Sequence, residues 1–210
     1  MRKLIFLLLV VSIISSIFLS GCVNKDINKE TNNNISMEGK KILMVIAPRN
    51  FRDEEFLKPK EIFEKNNIEV TVASKGVKEA TGMLGAKADV DIDIGEVNVD
   101  KYDAVVFVGG GGASVYYEDS TALNIARESY EKGKVVAAIC IAPGILAKAG
   151  ILKGKKATIW DSGNREFIKI LEEEGATYTE ENVEQDGKII TANGPHAANE
   201  FGERIVKSLS

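Results

Sequence analysis

Only two cysteines, one histidine, one tryptophan and four prolines occur among the 210 residues, and neither sign of charge is in clear excess. Each scarcity removes a class of function. Twenty-seven Lys and Arg against 31 Asp and Glu leave a formal net charge of −4, which offers no electrostatic attraction for nucleic acid. The glycine run Gly109–Gly112 carries neither a G-x-G-x-x-G fingerprint nor a Walker lysine, so phosphate binding is not expected there. Long apolar runs are missing too, except at the start, where Met1-Arg-Lys precedes the stretch from Leu4 to Leu19 and Leu19-Ser-Gly-Cys22 follows. That pattern reads as a signal segment with a lipobox over residues 1–22, resembling a bacterial-type lipoprotein processing site. The resemblance implies cleavage before Cys22, lipid on its thiol and an extracytoplasmic, membrane-anchored protein. An uncleaved transmembrane anchor is the other reading, and translation from Met37 would give a cytoplasmic chain.

Residues 23–39, rich in Asn and poor in groups to bury, read as a flexible tether, and a folded domain is expected over 40–210. Committing Cys22 to lipid leaves Cys140 unpaired, with no second thiol for a disulfide or a Cys-based metal site. No metal or cofactor is expected.

Strand and helix patterns alternate through the domain. Lys40 to Pro48, Tyr102 to Val108 and Val135 to Ile139 are apolar without alternation, as in a parallel sheet covered on both faces. Helical spacing marks 55–66, with Pro59 expected to begin the regular helix, and further helices are expected over 121–132, 164–174 and 196–209. Ala88 to Ile94 reads as an alternating edge segment, Ala157 to Trp160 as a short strand, and Asp186-Gly187 as a hairpin turn. The order predicts a doubly wound α/β fold, mostly parallel, with helices on both faces and its site off the carboxyl ends of the strands.

The chemistry is expected at Cys140. A β-branched run climbs to it, and Pro143 with a Leu/Ala-rich segment ending at Gly150 signals a short helix beyond. The cysteine therefore lies on a strand-to-helix turn, a nucleophile elbow, which needs small neighbours such as Ala138 and Ala142. Free N–H groups and the helix dipole are expected to favour thiolate there, the dipole alone by about one pKa unit. The alternative is a buried cysteine acting as a small hydrophobe.

Read together and in order, Phe51-Arg-Asp-Glu-Glu55-Phe-Leu-Lys-Pro59, Tyr102-Asp-Ala-Val-Val-Phe-Val-Gly-Gly110, Ala137-Ala-Ile-Cys140-Ile-Ala-Pro143, Ala149-Gly-Ile-Leu-Lys-Gly154 and Thr191-Ala-Asn-Gly-Pro195 resemble the DJ/PfpI family. The resemblance implies a flavodoxin-like sheet of the class I glutamine amidotransferase type and a homodimer or higher homo-oligomer. It also implies a Cys140 nucleophile, a protonated Glu55 donating to its thiolate, and an oxyanion pocket of the Gly109, Gly110 and Ile141 amides. From the residues alone, Glu55 could equally be a carboxylate facing a helix N-terminus, a role Glu54 would serve as well. One departure stands out: peptidase-type members carry His after the cysteine, and this chain has Ile141. His196 and Asp161 are the accessory candidates, each with a plainer reading as a cap or turn residue. The implied activity is a cysteine-dependent hydrolase or lyase of small carbonyl compounds, glyoxalase-like or deglycase-like, or of peptides. The alternative is a thiol redox sensor or protective module without turnover.

Overall fold

The computed structural model describes residues 37–210; the signal segment, Cys22 and the tether before Met37 lie outside the described residues. The strands are β1 (Lys41–Val45), β2 (Arg49–Phe51), β3 (Glu69–Ser74), β4 (Glu79–Gly82), β5 (Lys87–Asp89), β6 (Ile92–Asp93), β7 (Ala104–Phe107), β8 (Val135–Ile139), β9 (Lys156–Ala157), β10 (Thr177–Tyr178), β11 (Val183–Asp186) and β12 (Ile189–Ala192). Five helices accompany them among the described residues: α1 (Asp53–Lys65), α2 (Ser120–Glu131), α3 (Pro143–Lys148), α4 (Glu166–Glu173) and α5 (Ala198–Leu209).

The main sheet runs β11-β12-β8-β7-β1-β3-β6. Every neighbouring pair is parallel except β11 with β12, the hairpin turned at Asp186-Gly187. Its five central parallel strands follow the flavodoxin-like order, second-first-third-fourth-fifth, so the chain reverses direction across the sheet between β1 and β7. All residues of β7, β8 and β12 are buried, which requires helices on both faces. One group is α1 packed on α5; the other is α2, α3 and α4.

Four local expectations are corrected. The first helix begins at Asp53, where the Glu55 and Phe56 N–H groups already bond the Arg52 carbonyl, so Pro59 lies inside the helix. Proline there forfeits one N–H, but it is buried close against Gly202 where α1 packs on α5. Residues 88–94 divide between β5, in a small sheet ordered β2-β4-β5, and β6 on the main sheet. The strand at 157–160 shrinks to β9, which pairs with β10 outside the main sheet. Finally, Pro195–Ala197 is a 3-10 turn and the closing α-helix starts at Ala198.

Candidate active site

Three loops leave the carboxyl ends of β1, β7 and β8 next to one another at the reversal point. The Arg52 N–H donates to the Gly109 carbonyl at 2.9 Å, joining the first two. The third is the elbow itself. Cys140 has φ +63°, a left-handed conformation rare for a residue with a side chain. Its N–H donates to the Ala192 carbonyl at 2.8 Å, and its own carbonyl accepts from the Trp160 N–H at 2.8 Å. Both backbone groups are thus tied, and the sulfur is aimed at the cleft.

Glu55 comes from the first turn of α1 and is fully buried. Helical rotation turns its neighbour Glu54 outward, where both carboxyl oxygens hold the Arg52 guanidinium at 2.7 and 3.0 Å. The ambiguity between the two glutamates is therefore decided by packing, and Glu55 is the one that faces Cys140. Neither Glu55 oxygen has a well-aligned hydrogen-bond partner. Burial pushes its carboxyl up to about 8, so it is protonated at neutral pH.

The sulfur departs from expectation. Cys140 is 9% exposed, and burial together with the Glu55 charge pushes its thiol up to about 12. The Gly110 and Ile141 N–H groups pull the other way, yet they do not offset desolvation. With α3 only six residues long, its dipole is too small to reverse that balance. Burial therefore pushes both members of the pair toward their neutral forms.

Gly110 and Ile141 line the cleft with their amides toward the sulfur. Gly109 does not line it. A Cβ on Gly109 would lie 2.4 Å from the Cys140 Cβ and 2.5 Å from Glu55 Oε2, so this glycine exists to let the two groups meet. The accessory candidates are elsewhere: His196 is exposed with its ring 3.1 Å from Asn182 Oδ1. Asp161 accepts from the Gly163 and Arg165 N–H groups at 3.0 and 2.9 Å, closing a turn.

The cleft, about 340 Å³, is completed by Met83 and Phe167, which no sequence signal marks, and by Trp160 and Pro195, for which packing at a strand end or a turn is the plainer reading. Met83 enters from the turn after β4, whose Leu84 and Ala86 N–H groups are held by the buried Asp53 carboxylate at 2.9 and 2.7 Å. Trp160 and Phe167 come from either side of the Asp161 turn, and Pro195 from the loop after β12. Beneath the elbow, the Tyr117 hydroxyl donates to the Ile141 carbonyl at 2.7 Å, and its ring lies where a Gly144 side chain would be. No local motif announces these contacts, because each partner lies tens of residues away in sequence.

The DJ-1/PfpI family model matches residues 40–208. An uncharacterized protein of Methanocaldococcus jannaschii is 42% identical over 210 residues, covering 100% of this chain and 98% of its own. The protein named deglycase PfpI of Pyrococcus furiosus is 32% identical over 169 residues, covering 80% of this chain and 98% of its own. The crystal structure of a ThiJ/PfpI domain protein from Brachyspira murdochii superposes with a TM-score of 0.77 at 33% identity, covering 82% of this chain and 96% of that one. With the match spanning the whole described sheet and the elbow alike, the chain belongs to the DJ-1/PfpI family.

Proposed function

We propose that this chain is a cysteine-dependent enzyme acting on small carbonyl compounds, with Cys140 as nucleophile and Glu55 as proton relay. The observation that carries the reading is a cysteine at an elbow, facing a buried carboxyl at the base of a cleft, with burial pushing both toward their neutral forms. A neutral carboxyl is bifunctional: one oxygen takes the thiol proton while the other gives its own away. As the sulfur–carbon bond forms, the carbonyl π bond opens onto oxygen, and that oxygen receives the Glu55 proton. The product is a hemithioacetal, with no net charge created in a buried site. The Gly110 and Ile141 amides support the developing oxyanion.

Addition to an aldehyde expels nothing, whereas amide cleavage needs a protonated leaving amine. Ile141 cannot supply that proton. This favours carbonyl chemistry over peptide hydrolysis, and the relative named as a deglycase agrees with it. The test is consumption of methylglyoxal by the full chain, expected to vanish in Cys140→Ala; equal consumption by the variant sinks the reading.

A second reading, a redox sensor, is favoured by the buried Glu55 carboxyl held beside the sulfur. Two equivalents of peroxide would convert the thiol to sulfinic acid with release of two waters, and Glu55 would donate to the sulfinate. Gain of two oxygen atoms at Cys140, by mass, without methylglyoxal turnover would favour it. Anchoring through Cys22 rests on the Leu19-Ser-Gly-Cys22 pattern, and the intact mass of membrane-extracted protein tests it.

A further inference from the structure

We propose that the cleft selects neutral carbonyl compounds bearing an apolar group, which packs on Trp160, and turns away those bearing a carboxylate. This rests on the reading of Cys140 as the reacting atom and names the substrate class of that site.

The charge inventory of the cleft carries the first half. Besides Cys140, its ionisable lining residues are Arg52 and Glu55. Arg52 is held by both oxygens of Glu54, so its charge is already matched. Glu55 is protonated at neutral pH and brings no charge of its own. His196, the one imidazole, is bound to Asn182 outside the lining. A carboxylate entering this space would lose water and meet no free cation among the described lining residues.

The wall carries the second half. Met83, Ile141, Trp160, Phe167 and Pro195 supply it, and two of them are otherwise unexplained exposures: Met83 is 48% and Trp160 37% exposed. A large apolar surface left open to water at the mouth of a reactive site is what an apolar ligand covers. Trp160 is also held in place. Its backbone N–H donates to the Cys140 carbonyl, and its ring lies over Gly194, where a Cβ would come within 3.0 Å of Cε3. The indole is therefore fixed relative to the sulfur, as a specificity surface must be. Met83 is anchored through its N–H to the Phe51 carbonyl at 2.8 Å.

Trp160 is the single tryptophan of the chain, so its fluorescence reports occupancy of the cleft without background. The full chain carrying Cys140→Ala, which cannot form the covalent adduct, is titrated with two methyl ketones, cyclohexyl methyl ketone and pyruvate. The expected result is a saturable change with the first at a half-saturation at least about tenfold below that of pyruvate. Equal or tighter binding of pyruvate, or no saturable change with either, overturns the proposal. Adding Met83→Lys places a free cation at the mouth and is expected to close or invert the gap; an unchanged ratio overturns it. Cys140→Ser serves as an independent background. Loss of the proposed function is separately visible: wild type that binds the apolar ketone preferentially yet consumes no methylglyoxal strikes the catalytic reading and leaves the cleft's selectivity standing.

Discussion

Cys140 Cβ and Glu55 Oε2 press on the same point of the backbone, the place at Gly109 where a side chain would begin, at 2.4 and 2.5 Å. Two elements far apart in sequence can meet there only because that position has no methyl group. Gly109→Ala is expected to force them apart and to cost at least about 1–3 kcal/mol by overpacking. Urea unfolding measures the cost. Methylglyoxal consumption per folded molecule, expected to fall with it, measures the chemistry; a Gly109→Ala variant as stable and active as wild type refutes the close approach.

Glu55 makes stability fall as pH rises. Its folded value is raised from 4.5 to about 8, so the native state keeps a proton that the unfolded chain has lost. The contribution is whole below pH 4.5 and drains away up to about 8, at no more than about 1.4 kcal/mol per pH unit. In Glu55→Gln that slope is expected to disappear. Urea midpoints at several pH values across the window, wild type against variant, decide it, and parallel curves would remove Glu55 from its buried state.

The thiol is expected to be slow at neutral pH and to quicken continuously with alkali, because its folded value lies near 12. Iodoacetamide labelling of Cys140 should therefore rise without a plateau from pH 7 to about 10. Removing the Glu55 charge in Glu55→Gln lowers the thiol and speeds labelling above pH 8, where wild-type Glu55 is ionised. A plateau already reached by pH 7 would mean the sulfur rests as thiolate.

Tyr117→Phe deletes the hydrogen bond that holds the Ile141 carbonyl and leaves the ring packed on Gly144. A loss of about 1–2 kcal/mol is expected, together with a slower reaction at unchanged thiol accessibility, since the Ile141 turn carries one of the amides facing the sulfur. Thermal unfolding and turnover of the same sample read both effects.

Ile141→His places an imidazole where the cleft has an aliphatic group. An imidazolium beside the sulfur favours thiolate, so labelling at pH 7 should accelerate by an order of magnitude or more, and hydrolysis of small amide substrates should become measurable. No acceleration would show that side chain 141 does not address the sulfur.

Much of the fold was legible locally. The unalternating apolar runs at β1, β7 and β8 marked strands buried on both faces, because burial on two sides demands apolar residues at every position. The elbow was legible as well, from a β-branched run ending at a cysteine between small residues. Helix α1 was misjudged, since Pro59 read as a start and long-range packing on α5 let the helix run through it. The burial of Cys140 was not legible either, for a related reason: a dipole is a local property that sequence displays, while desolvation, which pushes the thiol up, depends on what closes over the atom.

By itself the sequence determined the alternation of elements, the position of the thiol on a sharp turn, the lack of a histidine beside it and the balance of charge, all of which follow from residue type and spacing along the chain. Only the tertiary structure decided that Glu55 rather than Glu54 meets the sulfur, that Gly109 is the point of closest approach, that His196 and Asp161 serve elsewhere, and that Met83, Trp160 and Phe167 wall the cleft. The physical reason is that burial and the free energy of an ionisable group depend on neighbours brought from distant segments, and no local pattern records which segments those will be.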